Sequence, residues 1–474
     1  MIDVSNKTID EKAGFTLNSH PYAPPELFSK ELEPGVWLLL DPEMPNWVVV
    51  DPLGKEVIEL CNGKRDLKEI IEILCKKYNG NFDASKNNII EFVNKLAEKN
   101  FLSAQPFIYY PLDKSEWKAL TSLWINVTHA CNLRCLHCFR TAGEAIIRNE
   151  LSTQEICGII DEFVRLKGGT IVFSGGEPLL RRDIIDILDY AKKRGVPEVH
   201  LLTNGTLITS EIARRLKKLE PMSIQVSIDG STAETHNKIR GEGSFERVIN
   251  GIRRLKEAGF NRSLTVAMTI MKINKHEIED FVSFAEKLGA NGVHFPVFQD
   301  TGRGLKNREL LNLSPDDVRE VFQRLAAIWR RQPHKVRVSL NLDILKFLTV
   351  VKINYCGAGV GLWSIEPDGR VQPCAGLSDR RFTAGNIRKQ SLKEIISKSP
   401  ITKKFRSLDV QRSQCASCEL RFVCGGGCYV RNYVRFGNLI NNTRSPSNCD
   451  FERTWYWELL KTIALNNIKK EVQP

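Results

Sequence analysis

"CNLRCLHC", residues 131–138, sets Cys131, Cys135 and Cys138 at C-x3-C-x2-C, just past a strand candidate, "LWINVTH" at 123–129. Three thiolates on one tight loop suit a four-iron, four-sulfur cluster, which normally takes four protein ligands. No fourth cysteine lies nearby, so one iron would stay open to an outside group. A zinc site is the competing reading, with His129 or His137 as its fourth ligand.

Outward from that loop the pattern is regular. Strand candidates follow at "TIVFSG" (170–175), "VHLLTN" (199–204), "SIQVSID" (223–229), "LTVAMTI" (264–270) and "VHFPVF" (293–298). Amphipathic helices separate them, such as "STQEICGIIDEFVRLK", whose Ser152, Thr153 and Glu155 fit a capped start. Six strand–helix units in series predict a parallel sheet wound by right-handed crossovers. Six are too few to close an eight-stranded barrel. The expectation is an α/β core at 123–335, a partial (β/α)6 barrel with its ligand site at the carboxyl ends of the strands.

The motifs at those strand ends resemble the radical S-adenosylmethionine (SAM) superfamily. His137 occupies the usually aromatic position before the third cysteine, and "SGGEP" at 174–178 is similar to the family's glycine-rich motif. The resemblance implies that the open iron takes the amino and carboxylate groups of SAM. Gly175, Gly176, Glu177 and Pro178 would lie along its amino end. Ser227 and Asp229 of "SIDG" would meet the ribose or methionyl end, and Arg240 of "HNKIRG" would pair with the carboxylate. It also implies reductive cleavage of SAM to a 5′-deoxyadenosyl radical that takes hydrogen from an unactivated C–H bond, the cofactor carrying the hard chemistry. A reductant such as flavodoxin or ferredoxin would feed the electron.

Thirteen cysteines are present, and ten fall into spaced groups. Cys61, Cys75 and Cys157 stand singly in apolar-periodic stretches and read as buried packing. The other seven follow residue 340, where Cys, Gly and Pro density rises. Their spacing is C-x12-G-x4-C, then C-x2-C-x5-C-x3-C-x20-C. This resembles the SPASM extension of peptide-modifying radical SAM enzymes, with Gly369 in place and a slightly long final interval. By that resemblance Cys415, Cys418, Cys424 and Cys449 hold a distal auxiliary cluster, and Cys356, Cys374 and Cys428 a proximal one, making three 4Fe–4S clusters in all. "CGAGVGLWS" lacks the extra cysteine of formylglycine-forming members, and Ala375 stands where they have an aspartate base. The proximal place is thus filled by an unrecognised ligand or solvent, or is left open (in a three-iron cluster or for a substrate thiolate).

Before the core, "GVWLLLD" and "NWVVVD" read as two strands, and "LKEIIEILCKKY" and "NIIEFVNKLAEKNFL" as helices. Residues 32–105 resemble the RiPP recognition element, a winged-helix-like α+β domain that binds a leader peptide by strand addition. Val36–Leu40 and Val48–Val50 are the candidate strands. Residues 1–31 read as a loose leader segment, 106–122 as a linker, 336–450 as the SPASM module and 451–474 as a closing amphipathic helix.

Residues 1–110 carry 12 Lys/Arg against 17 Asp/Glu, leaving +17 of the net +12 on the rest of the chain. An acidic first module argues against nucleic acid as its partner. No run of about 18 apolar residues suggests a membrane span, and the polar start is unlike a signal peptide. A cytoplasmic location is the default. Together the resemblances imply a maturase of ribosomally made, Cys-containing precursor peptides, forming thioether links as sactipeptide and ranthipeptide synthases do. Carbon–carbon crosslinking is the enzymatic alternative, and a noncatalytic iron–sulfur protein or a nucleic-acid modifying enzyme the rival from another class.

Overall fold

The computed structural model describes residues 14–110, 120–143, 149–331, 334–340, 356–440 and 449–471, side chains of 467–471 excepted. Parts of the expected leader, linker, SPASM module and tail (1–13, 111–119, 341–355, 441–448 and 472–474) therefore lie outside the described residues.

The first module holds three antiparallel strands, β1 (Phe28–Glu33), β2 (Val36–Asp41) and β3 (Asn46–Val50), ordered β1-β2-β3. Helices Pro52–Leu60, Leu67–Tyr78 and Phe82–Glu98 follow, each opened by a side-chain cap from Asp51, Asp66 or Asn81. Two expectations need correction. β1 lies largely within the segment read as a loose leader, and Phe15 of that segment is buried in the module's core. Val36–Leu40 form the middle strand, so their backbone is already paired on both sides, and β3 is an edge.

The run "VWLLLD" does not alternate because both faces of β2 are covered. Leu39 packs with Val48 and Val50 against the module's own helices, while Leu38 and Leu40 join the core of the large domain.

All six expected strands form: β4 (Ser122–Asn126), β5 (Thr170–Ser174), β6 (Glu198–Thr203), β7 (Ser223–Ser227), β8 (Leu264–Ala267) and β9 (Gly292–Phe295). They run parallel in chain order. The sheet does not stop there. β10 (Arg337–Leu340) adds in parallel to β9, and β11 (Leu362–Ile365) adds in parallel to β4. β12 (Arg370–Gln372) and β13 (Gly385–Asn386) continue antiparallel, giving ten strands among the described residues. The boundary drawn at 335/336 is therefore no break in the sheet.

Helix Asp450–Glu471 is present, but its described part is not amphipathic. Trp455, Tyr456 and Trp457 are consecutive and all buried. Trp455 packs edge-on to Phe322 of helix Pro315–Arg330 at 4.8 Å, and Trp457 meets Phe28 of β1 at 5.2 Å. A helix enclosed by neighbours has no reason to keep a polar face. Among the described residues no helix is long and apolar enough to cross a membrane.

Candidate active site and auxiliary cysteine sets

β4 delivers the chain into the cysteine loop, and the loop after β5 forms its floor. The Gly176 N–H donates to the Thr128 carbonyl and the Glu177 N–H to that of Ala130, both at 2.8 Å. A Cβ on Gly176 would stand 2.1 Å from the Ala130 oxygen, and one on Gly175, at φ 140°, 2.3 Å from the Thr128 oxygen. The close approach that requires glycine is thus, first of all, to the chain's own backbone beside Cys131.

Cys135 is buried, and burial pushes its thiol up to about 11; the Cys131 thiol is raised for the same reason. Cys138 is near enough to raise both further. The Leu133 N–H donates to the Cys131 sulfur at 3.4 Å. Among the described residues no three His, Cys, Asp or Glu side chains converge tightly enough to hold a single metal ion. A four-iron cluster spreads its cysteines wider than one tetrahedral zinc does. The Leu133 N–H at the Cys131 sulfur and the Arg240 guanidinium, 4.0 Å from the Cys135 sulfur, also suit thiolate ligands. The donor set fits the cluster.

The remaining expected SAM contacts are busy with each other. Glu177 is fully buried; its carboxylate accepts from the Thr203 hydroxyl and Asn204 N–H at 2.7 Å and from Leu179 N–H at 3.0 Å. Burial nonetheless raises its pKa. It ties the glycine turn to the end of β6, and Pro178 opens a short turn behind it. Asp229 is also fully buried, accepting from Arg240 Nε at 2.6 Å and Thr269 N–H at 2.9 Å. His137 Nε2 lies 3.3 Å from the same carboxylate, and its buried Nδ1 has no partner among the described residues. Burial, against the pull of Asp229, lowers the His137 pKa to about 4, so the ring is neutral. Ser227 sits half-buried at the end of β7.

The seven later thiols divide into two groups of mutual influence. Burial pushes Cys356 up to about 11 and Cys374 to about 12, and Cys428 adds to both. Cys424 is raised well above the usual thiol by burial, then Glu452, then Cys415, Cys418 and Cys449. The SPASM resemblance implies the same division of these thiols. Of the three lone cysteines only Cys61 is buried, its thiol pushed up to about 12; Cys75 and Cys157 are half-buried.

Several residues here carry no local sequence signal. Arg140, two positions after Cys138, forms a buried pair with Glu366 and donates to the Ala375 carbonyl, beside Cys374, at 3.0 Å. The chain after β9 links the same regions: Arg303 N–H donates to the Cys138 carbonyl at 2.9 Å, and Gln299 reaches the Cys428 sulfur at 4.0 Å. Arg431 pairs with Glu452 at 2.8 Å between the two later groups. Arg421, between Cys418 and Cys424, pairs with Glu43 of the β2–β3 turn at 2.6 Å. These contacts join positions up to 378 residues apart, beyond the reach of motif spacing.

With this geometry in hand, family comparison is direct. Residues 125–285 match the radical SAM superfamily, 37–102 match coenzyme PQQ synthesis protein D (PqqD), and 356–419 match the SPASM iron–sulfur cluster-binding domain. The chain belongs to the radical SAM superfamily, with a PqqD-type module before the core and a SPASM domain after it. It is 33% identical over 334 residues to the AdoMet-dependent heme synthase of Methanosarcina barkeri, spanning 66% of this chain and 92% of that protein. It is 31% identical over 314 residues to the mycofactocin maturase MftC of Mycolicibacterium smegmatis, 65% and 77% of the two chains. The crystal structure of Streptococcus suis SuiB bound to S-adenosylmethionine shares the fold at TM-score 0.59 and 17% identity, over 89% of this chain and 99% of that one. The SuiB structure with its precursor peptide SuiA matches equally, at TM-score 0.59 and 16% identity, over 90% and 99%.

Proposed function

We propose that the protein is a radical SAM maturase that forms intramolecular thioether, sulfur-to-carbon crosslinks in a ribosomally made, Cys-containing precursor peptide. One observation carries the peptide part: a PqqD-type module whose β3 has no strand partner on its outer side among the described residues. An exposed strand edge takes an extended peptide through main-chain hydrogen bonds. That module rests on the Cys418–Cys424 loop through Glu43 and Arg421, so a leader bound there would lie on the same body as the cysteine sets.

In this reading Cys131, Cys135 and Cys138 hold the SAM-cleaving cluster, fed by a reductant of the flavodoxin or ferredoxin kind. Cys415, Cys418, Cys424 and Cys449 hold the distal auxiliary cluster, and Cys356, Cys374 and Cys428 the proximal one. Bound there, clusters and SAM supply one-electron chemistry able to remove hydrogen from an unactivated C–H bond. Gly175, Gly176 and Glu177 fix the floor of the first loop. Arg140 pins that loop to the proximal set, fixing their relative position. Three cysteines leave one place at the proximal set for a substrate thiol, which coordination would deprotonate and position.

Carbon–carbon crosslinking uses the same parts without the thiol. The kinship with heme synthases supports a further reading, a tetrapyrrole substrate, which needs no strand edge. The reduced protein, SAM and a Cys-containing precursor peptide, analysed by mass spectrometry, separate these. The thioether reading expects 5′-deoxyadenosine, loss of two hydrogens from the peptide and loss of one alkylatable thiol. Two hydrogens lost with every thiol still alkylatable would sink it.

A further inference from the structure

Arg431 and Glu452 stand at matching places on two helices. Cys428 is the N-cap of helix Tyr429–Phe436, and Arg431 follows it by three residues. Cys449 precedes helix Asp450–Glu471, and Glu452 follows it by three. Each charge therefore lies close to one helical turn beyond a cysteine, one cysteine from each of the two later sets. The two side chains are 9% and 13% exposed and meet at 2.8 Å. A Cβ on Gly427 would lie 3.3 Å from Glu452 Cγ, so the pair is seated against the glycine run that divides Cys424 from Cys428. The guanidinium is held from two further sides, donating to the Phe298 carbonyl at 3.3 Å and lying over the Phe451 ring at 4.3 Å. After burial, Glu452 is the largest influence raising the Cys424 thiol. Against burial, Glu452 and then Cys428 hold Arg431 above its ordinary value. The negative end is thus felt at a distal cysteine and the positive end at a proximal one.

We infer that Arg431 and Glu452 form a fixed dipole between the two later cysteine sets, raising the reduction potential of the proximal set (Cys356, Cys374 and Cys428) relative to the distal one (Cys415, Cys418, Cys424 and Cys449). The inference rests on the reading that each set holds a cluster. The potential of an iron–sulfur cluster depends on nearby charge, and a buried charge is poorly screened. Reduction adds one negative charge. Arg431, nearer the proximal set, favours reduction there, and Glu452, nearer the distal set, opposes it there. One electron passing between the sets oxidises the distal by one and reduces the proximal by one, and the dipole gives that transfer its direction. Joining a thiolate to a carbon radical releases one electron, and the proximal set is the end poised to take it. A pair that only held two helices together would leave both potentials where they were.

In the full-length protein carrying Cys131→Ala and reconstituted with iron and sulfide, a redox titration followed by electron paramagnetic resonance reads the later sets alone. Adding Cys428→Ala or Cys424→Ala assigns the proximal and the distal signal. If those two variants remove the same signal, or neither loses iron, the two-cluster reading fails and the inference falls with it. Otherwise Arg431→Met is expected to lower both midpoints, the proximal more, and Arg431→Lys to restore them toward the parent values. Glu452→Gln is expected to raise both, the distal more. Arg431→Met combined with Glu452→Gln leaves no charge unpaired and is expected to move the midpoints apart in sign, the proximal down and the distal up. Should Arg431→Met fail to fold, the combined variant still decides. Midpoints that stay fixed in the combined variant, or that shift in the same direction, overturn the inference, even where denaturant unfolding shows that the pair stabilises the fold. An Arg431→Met effect larger at the distal set than at the proximal one overturns it as well.

Discussion

Two cysteine-rich stretches of similar density behave in opposite ways. In "CNLRCLHC" three thiols share one neighbourhood, and none of residues 131–138 adopts a positive φ. In "CASCELRFVCGGGC", 415–428, the first three thiols influence one another while the fourth joins Cys356 and Cys374. The difference lies in Gly425, Gly426 and Gly427, at φ 62°, 83° and 78°. Three successive left-handed residues are closed to ordinary side chains. They separate helix Arg421–Cys424 from helix Tyr429–Phe436, so Cys424 closes one helix while Cys428 caps the start of the next. Cysteine spacing alone does not say how many sites a cluster of thiols makes; the backbone between them does.

The largest test of this contrast is Cys131→Ala, expected to abolish 5′-deoxyadenosine formation and to remove about four irons, one cluster's worth, while the later sets keep theirs. Cleavage of SAM that survives unchanged would mean the first loop is misread. Next, Cys424→Ala and Cys428→Ala should each cost about one cluster, but different ones, distinguishable by Mössbauer and resonance spectra; identical spectra from the two variants would make 415–428 a single site. Gly426→Ala forces a side chain into a left-handed position and should cost about 1–3 kcal/mol, read by denaturant unfolding. A neutral result there would remove the glycines from the explanation. Glu43→Gln, leaving the buried Arg421 with a weaker partner beside Cys418, should cost about 1–2 kcal/mol and loosen the first module, seen as faster hydrogen exchange in β2 and β3.

The smallest effect is a pH dependence at the seam between core and SPASM domain. Arg388 hydrogen-bonds Glu155 and holds its carboxyl at about 2, below the ordinary 4.5. The folded value is the lower one, so this pair stabilises fully above pH 4.5 and its contribution fades as pH falls toward 2. Both side chains are about one-third exposed, which limits the contribution to under about 1 kcal/mol. Arg388→Ala should flatten that part of the acid-unfolding curve by no more than this amount, and a larger change would show the seam to be a stronger joint than its exposure allows.

Much of this was legible locally. The six strands announce themselves by short apolar runs ending in polar turns, and the glycines of "SGGEP" by their position. β1, "FSKELE", was missed because it is an edge strand with mostly exposed side chains and no apolar alternation. The unbroken "VWLLLD" did contain the signal of a two-faced strand, though not the identity of what covers it. Glu177, Asp229 and Arg240 were marked by their motifs as candidate site residues, yet their partners were not: a motif marks a charged position and is silent about which buried neighbour pairs with it. Arg140, Gln299 and Arg431 were beyond reach because each acts across a gap in sequence that only the folded chain brings together.

The glycine run has one more consequence, an electrical one. Cys424 and Cys428 are four residues apart, so their Cα atoms are separated by at most about 14 Å even at full stretch. Whatever redox groups the two sets carry are thereby leashed together, and no movement of the surrounding module can pull them out of tunnelling range of each other.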